Sequence, residues 1–167
     1  GSTVLSKITV RNEHIGFDQN DSKVYSTIKK TAFVHGAAMM VRKSAIDEIG
    51  PMPVDYFLYY EELDWCEQFK AKGYELWYNG TVSILHKVSK STGKVSGFKN
   101  YYINRNRILF VRKNYKKGFA KILALGYLTL LVFPKNVVKN IFNPALLKSS
   151  YKALLWNIKN ETNSNLI

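Results

Sequence analysis

Acidic side chains are missing from a long stretch of this chain. Residues 87–160 contain 16 Lys and Arg and no Asp or Glu, whereas residues 1–86 contain 9 basic and 11 acidic residues. The net charge of +13 therefore arises in the second half. This asymmetry predicts an anionic partner for that half, and nucleic acid and anionic lipid are the two candidates. A merely solvated basic face fits the complete lack of acids less well.

Cysteine and long apolar runs are also scarce. Cys66 is the single cysteine, which excludes an internal disulfide bond and suits a reducing compartment. The most apolar block, 122–133, covers 12 residues before Pro134. It is too short to span a bilayer comfortably and suits an interfacial or buried helix. With 46% apolar and 22% charged residues in 167, the chain is predicted to be globular.

Strand and helix patterns alternate in the first half, and helical patterns follow it. Apolar alternation between turn residues predicts strands over 3–11, 31–35, 39–42, 74–78 and 81–85. Cap residues predict a short helix that starts at Ser44 and ends at Gly50, and a longer one that ends at Gly73. Three further helical segments are predicted over 98–117, 122–133 and 143–158. The last has a predicted apolar side made of Leu147, Tyr151, Leu154, Leu155 and Ile158.

Three carboxylates follow an aromatic segment in the middle of the chain. Glu61, Glu62 and Asp64 come directly after Phe57-Leu58-Tyr59-Tyr60. Carboxylates in the first turn of a helix favour its positive end, which gives them a purely structural explanation. Beside an aromatic wall, however, a carboxylate is desolvated and suited to act as a general base. Both interpretations stay open at this point.

A turn of small residues precedes this cluster. Gly36, Ala37 and Ala38 lie between two predicted strands. Small side chains let backbone amides approach a ligand, and they equally let two backbones pack closely. His35, next to the turn, is predicted to be structural.

An ordered set of short motifs resembles a known enzyme family. It comprises His14-Ile15-Gly16, Gly36 to Ser44, Ile49-Gly50, Phe57 to Asp64, Gly73-Tyr74, His86 and Ser91, and the Arg105-Asn106-Arg107 segment. Together these motifs, over about residues 14–115, resemble the second half of a family 2 glycosyltransferase of the rhamnosyltransferase-like kind. No single motif is strong, but their order is specific.

The resemblance implies an α/β fold, namely the C-terminal half of a GT-A (nucleotide-diphospho-sugar transferase) domain followed by amphipathic α-helices. It divides the chain into an acceptor-side part at 3–97, a basic helical region at 98–160 and a polar tail at 161–167. The family's donor-binding half carries an Asp-x-Asp metal motif, and this sequence has none. The chain is therefore expected to be a fragment of a longer enzyme, inactive alone.

The resemblance also assigns roles to individual residues. Glu62 corresponds to the catalytic base of inverting transfer, with Glu61 and Asp64 as supports. The predicted substrate-binding residues are Gly36, Ala37, Ala38, Tyr60 and Trp65. His86 resembles a histidine that completes a divalent-metal site, for Mg²⁺ or Mn²⁺ held mainly by the donor-binding half. Gln68 stands where the family often has Arg, which puts a phosphate contact from that helical turn in doubt.

These roles predict an inverting glycosyltransferase that acts in cell-surface polysaccharide synthesis. Its partners would be a nucleotide-sugar donor, a glycan or lipid-linked acceptor and the anionic inner face of the cell membrane, with the protein cytoplasmic and peripheral. A homo-oligomer is left open. The alternative is a basic nucleic-acid-binding module, because aromatic residues alternate with arginines between Tyr101 and Tyr115 as stacking platforms would.

Overall fold

Helices dominate the computed structural model, which describes residues 1–20, 22–85, 96–159 and 161. The helices are α1 (Lys43–Ile49), α2 (Glu61–Ala71), α3 (Ser96–Asn114), α4 (Phe119–Gly126), α5 (Phe133–Lys139) and α6 (Pro144–Ile158). A π-helical stretch, Tyr127–Val132, joins α4 to α5. Short 3-10 turns lie at Lys23–Tyr25, Gly36–Ala38 and Val54–Tyr56. Strands β1 (Ile28–Lys30) and β2 (Trp77–Asn79) pair antiparallel, with Lys29 opposite Tyr78.

Two compact units divide the chain. The first falls within Gly1–Ser6, Arg11–Pro53 and Glu62–Val88, and the second within Lys7–Val10, Val54–Glu61 and Ser89–Ile167. The boundary at Glu61 lies inside the first turn of α2. The predicted division at residues 97 and 98 stays a prediction.

The first unit is organised around one face of α2. Ala45, Trp65 and Phe69 form its buried cluster, against which Ile49 and Leu76 pack. The Trp65 indole Nε1 donates to the Gly50 carbonyl oxygen over 3.1 Å, so the only polar atom of this ring is satisfied inside the core.

Glycines end both helices of this unit where the sequence predicts. Gly50 follows α1 with φ 98° and donates its N–H to the Ile46 carbonyl. Gly73 follows α2 with φ 85°. A positive φ is accessible to glycine without steric cost, which explains both stops. The predicted Ser44 cap is displaced, because α1 starts at Lys43 with Arg42 as its N-cap residue.

Most of the predicted strands are wrong among the described residues. Only the 74–78 prediction overlaps a strand, β2, while 3–11, 31–35, 39–42 and 81–85 hold none. Strand β1, which pairs with β2, contains Lys29 and Lys30, and all its residues are exposed. Its sequence therefore lacks the apolar alternation on which the strand predictions are based. Alternation of apolar residues indicates a pleated surface, but a strand also needs a neighbour for its backbone groups.

The second unit is built on the pairing of α3 with α6. Asn143 caps α6 by accepting from the Leu146 N–H over 3.2 Å, as Asn-Pro predicts. Asn100 on α3 donates to the hydroxyls of Ser149 and Ser150 at 2.7 and 2.9 Å. These polar contacts join the two helices at close range because the facing side chains are small.

The predicted apolar side of α6 does not supply the residues that the helix buries. Its buried residues are Ser149, Ser150, Ala153, Trp156 and Asn157. Leu155 and Ile158, which belong to the predicted apolar side, are 52% and 68% exposed. Close approach to α3 favours small and hydrogen-bonding residues at the contact, and hydropathy alone does not register that preference.

A continuous helical segment of 21 residues, Phe119–Lys139, corrects the predicted 12-residue block. Pro134 does not end it, since the helix passes through the π-helical stretch immediately before that residue. The wider π turn shifts the hydrogen-bond register where proline has no N–H to donate. By length and composition, with a mean hydropathy of 1.4, the segment is sufficient to cross a membrane.

The GT-A half-domain stays a prediction. The described residues show helices and a two-stranded sheet, which neither establish nor exclude that fold.

Candidate functional site

The aromatic segment that leads into α2 forms a strained turn in the second unit. Phe57, Tyr59 and Tyr60 have φ angles of 61°, 66° and 76°. Bulky L-residues rarely adopt positive φ, and each such residue costs on the order of 1–3 kcal/mol. Strain of this kind persists only where surrounding contacts hold it, and it concentrates at functional sites.

Two side chains of α3 hold the turn. The Asn106 amide Nδ2 lies 2.9, 2.6 and 2.8 Å from the carbonyl oxygens of Tyr56, Leu58 and Tyr59, which share its two hydrogens. Arg105 donates to the carbonyls of Asp55 and Tyr56 at 2.6 and 2.8 Å. Both side chains are fully buried. We call Arg105 and Asn106 the α3 clamp.

The α3 clamp changes the interpretation of the basic helix. Arg105 also lies 4.6 Å from the Trp156 ring and 4.8 Å from the Tyr102 ring. Arg107, 3% exposed, donates to the Thr9 carbonyl over 2.8 Å. Burial lowers the pKa of the Arg105 guanidinium, but arginine stays charged at neutral pH. Arg105 and Arg107 therefore bind backbone carbonyls. Their position among apolar residues in the sequence is the feature that indicates their burial.

Tyr60, a predicted substrate-binding residue, anchors the turn. Its hydroxyl donates to the Val10 carbonyl over 2.9 Å, and its ring centroid lies 5.8 Å from that of Phe110. These contacts give Tyr60 a structural role that requires no ligand. Its predicted role in substrate binding stays a prediction.

The three predicted carboxylates differ in their surroundings. Glu61 and Glu62 occupy the first turn of α2 as neighbours, about 100° apart around the helix axis. Asp64 is 2% exposed and accepts a hydrogen bond from Gln68 Nε2 over 3.3 Å. Gln68 thus serves an internal contact. The predicted role of Asp64 as a support for the catalytic base stays a prediction.

Glu62 lies beside the small-residue turn in the first unit. A Cβ atom placed on Gly36 would be 3.9 Å from Glu62 Oε1, an ordinary van der Waals distance. Glu62 Oε2 is buried and has no hydrogen-bond partner among the described residues. A buried carboxylate oxygen without a partner is costly, so such an atom in a native structure calls for a functional explanation.

The turn itself is open to solvent. Gly36, Ala37 and Ala38 form a 3-10 turn and are all exposed. Close packing of two backbones therefore does not explain the small residues. His35 caps the turn, its Nδ1 accepting from the Ala37 N–H over 3.1 Å, which confirms the structural role predicted for it.

A second histidine shares this region. The His14 ring lies 5.1 Å from the His35 ring in an edge-on arrangement, and its Nδ1 is 3.3 Å from Ser2 Oγ. Partial burial lowers the pKa of His14, the His35 and N-terminal charges lower it further, and the Glu62 carboxylate raises it in part. His14 is therefore neutral at pH 7. The sequence indicated it only through the His14-Ile15-Gly16 motif.

A cavity of about 450 Å³ lies in the first unit. Its volume falls within the range of small-molecule sites. Trp65 and Cys66 of α2 line it, and Glu62 lies one helical turn before Cys66. Trp65 is only 7% exposed and mainly a core residue, so its predicted contact with substrate stays a prediction.

Trp77 is a lining residue that the sequence interpretation missed. It is 51% exposed, and its Nε1 donates to Glu75 Oε2 over 3.2 Å. Arg42 and Glu75 also line the cavity and supply charged groups to its wall. An exposed aromatic ring among polar groups is a suitable surface for the apolar face of a sugar ring.

The predicted metal ligand is not placed. His86 lies outside the described residues. The residues that the structure does describe contain no group of three His, Cys, Asp or Glu side chains arranged to hold a metal ion.

Comparison with known proteins identifies a distant relative. The chain is 26% identical over 116 residues to the low-salt glycan biosynthesis hexosyltransferase Agl10 of Haloferax volcanii. The match covers 69% of this chain and 38% of that protein, so the chain spans well under half of its relative's length. No family model matches the chain, and no solved structure matches it. The similarity supports a relationship to glycosyltransferases in general.

Proposed function

We propose that the chain is the acceptor-side part of an inverting glycosyltransferase of the family 2 kind. The observation that carries this proposal is Glu62 Oε2, buried without a hydrogen-bond partner among the described residues, in a carboxylate next to the open Gly36 turn. The distant similarity to a hexosyltransferase supports the same class. The reaction is transfer of a sugar from a nucleotide-sugar to a glycan or lipid-linked acceptor in cell-surface polysaccharide synthesis.

Glu62 acts as the general base in this proposal. Its carboxylate accepts the proton of the acceptor hydroxyl as that oxygen forms a bond to the anomeric carbon. The bond from the anomeric carbon to the donor phosphate breaks at the same time, and the nucleoside diphosphate leaves with the electron pair. One displacement at this carbon inverts its configuration. The small Gly36 turn leaves space for the acceptor hydroxyl to reach the carboxylate.

The donor side lies outside this chain in our proposal. The sequence has no Asp-x-Asp motif. A divalent metal and the nucleotide would be held mainly by a donor-binding half. Because the described residues offer no three-ligand metal group, we derive no step through a metal.

The cavity lined by Trp65, Cys66 and Trp77 is the candidate acceptor site. Its polar groups, Arg42 and Glu75, are suited to hydrogen-bond sugar hydroxyls. The half-exposed Trp77 ring supplies the apolar contact.

The nucleic-acid-binding alternative loses its main support. Arg105 and Arg107 are buried, and so are Tyr101 and Tyr102, which are 4% and 0% exposed. These residues therefore present no open stacking platform.

Acceptor binding tests the proposal with the 167-residue chain itself. Saturation-transfer NMR against a panel of oligosaccharide acceptors should give signals that weaken in Trp77→Ala and persist in Val82→Ala. Val82 is 70% exposed and does not line the cavity, so it is the matched control. Lack of binding to every oligosaccharide, together with a shift of single-stranded DNA in a gel assay, would overturn the proposal in favour of the nucleic-acid module.

A further inference from the structure

The Phe119–Lys139 helix of the second unit carries several exposed apolar residues. Its exposed apolar residues include Phe119, Ile122, Leu130, Leu131 and Val138, from 62% to 75% exposed. Ile141 and Phe142 extend the surface beyond the helix and are 58% and 98% exposed. We call these seven residues the apolar face. Large exposed apolar patches are uncommon on soluble monomers and mark interaction sites.

The opposite side of the same helix packs inside the unit along its length. Ala124 and Leu128 are buried. Lys121 Nζ donates to the Arg112 carbonyl over 2.7 Å near the start of the helix. Asn136 Nδ2 donates to Asn104 Oδ1 over 3.0 Å near its end. The helix therefore contacts α3 near each of its ends, and its α5 part packs against α6.

Basic side chains border the apolar face. Lys116, Lys117, Lys135 and Lys139 are all exposed. Residues 87–160 contain no acidic side chain that would repel an anionic surface. Each Lys near an anionic membrane adds attraction, and the apolar residues add burial in the interface.

We propose that the apolar face binds an anionic lipid bilayer with the Phe119–Lys139 helix parallel to the membrane plane. The contacts to α3 select this orientation over a spanning one. A spanning helix would carry Lys121 and Asn136, with their partners on α3, into hydrocarbon, where charged and polar groups are costly. The anionic cytoplasmic leaflet is the matching surface.

A second copy of the chain is a less suitable occupant. Pairing two apolar faces would bring their bordering lysines together, and like charges at an interface oppose association. The membrane proposal is independent of the proposed transferase activity, because it rests only on residues of the second unit.

Vesicle co-sedimentation of the 167-residue chain tests the surface. The chain should pellet with vesicles of 70% phosphatidylcholine and 30% phosphatidylserine at low salt, and binding should fall at least tenfold at 0.5 M salt. The pair Leu130→Glu and Val138→Glu should abolish binding, and the uncharged pair Leu130→Ser and Val138→Ser should weaken it. The matched control is Val24→Glu with Val82→Glu, since these residues are 69% and 70% exposed and lie outside the face.

Depth measurements test the orientation. In a Cys66→Ala background, a fluorophore is attached to single cysteines introduced at 122, 130 and 138. Quenchers attached to lipids at known depths then measure how deep each fluorophore lies in the bilayer. Equal, shallow depths at the three positions support the in-plane helix. A steady change of depth from 122 to 138 would show a spanning helix and overturn the orientation.

Absence of binding also has a definite meaning. If the intact chain ignores anionic vesicles at low salt, the membrane proposal is wrong. Light scattering then decides what covers the face: a dimer that the Leu130→Glu and Val138→Glu pair dissociates assigns it to a second copy.

Discussion

The Asn106 amide nitrogen lies 2.8 Å from the carbonyl oxygen of Tyr59, a residue whose φ is +66°. The same amide reaches the carbonyls of Tyr56 and Leu58. Helix α3 thereby stabilises a turn with positive φ angles, a conformation that the bulky residues of the turn disfavour. The turn ends directly before Glu61, the first residue of α2.

Replacing Asn106 should loosen this turn. Asn106→Leu keeps the side-chain size but leaves buried carbonyls without donors, and each unmade hydrogen bond of this kind costs about 1–3 kcal/mol. We expect the free energy of unfolding to fall by about 2–4 kcal/mol in urea titrations. Asn114→Leu on the same helix, which loses one local bond to Phe110, should cost less than about 1 kcal/mol. Equal losses in the two variants would remove the special role of Asn106.

Glu62 should dominate the chemistry among the three carboxylates. In an enzyme that combines this chain with its donor-binding half, Glu62→Gln should lower kcat by a factor of roughly 10² or more. Donor binding should change little, because only proton transfer is lost. Glu61→Gln should have a smaller effect.

Glu67→Gln is the control for this experiment. Glu67 lies on α2 and pairs with Lys70 over 2.6 Å, away from the Gly36 turn. Its replacement should leave kcat unchanged. A Glu62→Gln enzyme as active as the wild type would place the base at another residue.

The chain alone should not turn over any nucleotide-sugar. The expected absence of a donor-binding half motivates this prediction, and a nucleotide-release assay with the purified 167 residues checks it. Acceptor binding by the same sample would show that the protein is folded. Measurable release of nucleoside diphosphate would contradict the fragment interpretation.

His14 should make the protein less stable in mild acid. Its pKa in the folded state lies below the ordinary 6.5, so the unfolded chain binds the proton more tightly. The contribution to stability is present above pH 6.5 and is lost as the pH falls through the lower folded-state pKa. The free energy of unfolding should therefore decrease between pH 7 and pH 5.

His14→Gln should reduce this pH dependence, since the substituted side chain does not titrate. A proton NMR titration of the His14 ring measures the pKa directly. A value at or above 6.5 in the folded protein would reverse the predicted sign.

The contact between α6 and α3 should tolerate no larger side chain. Ala153 is 1% exposed and belongs to the cluster with Tyr101 and Tyr102. Ala153→Leu should cost about 1–3 kcal/mol by overpacking, measured by thermal or urea unfolding. Leu155→Ala, at a residue 52% exposed, should cost less than about 1 kcal/mol. The opposite order would place the core contact of α6 on its predicted apolar side.

Local physical chemistry in the sequence determined several features. Gly50 and Gly73 end α1 and α2 because positive φ is accessible to glycine. Asn143-Pro144 starts α6 because a side-chain acceptor satisfies a free N–H there. The charge asymmetry and the carboxylates after the aromatic segment are likewise visible without a structure. Each of these depends on a few neighbouring residues.

Only the tertiary structure decided the features that depend on distant residues. It buried Arg105 and Arg107, whose guanidinium groups donate to carbonyls of the 55–59 turn and of Thr9. It buried the serines of α6 in place of its leucines, and it placed the Gly36 turn beside Glu62. Hydropathy and periodicity report what one element prefers on average. Hydrogen-bond satisfaction and close packing depend on which other segment packs against that element, and this segment lies tens of residues away along the chain.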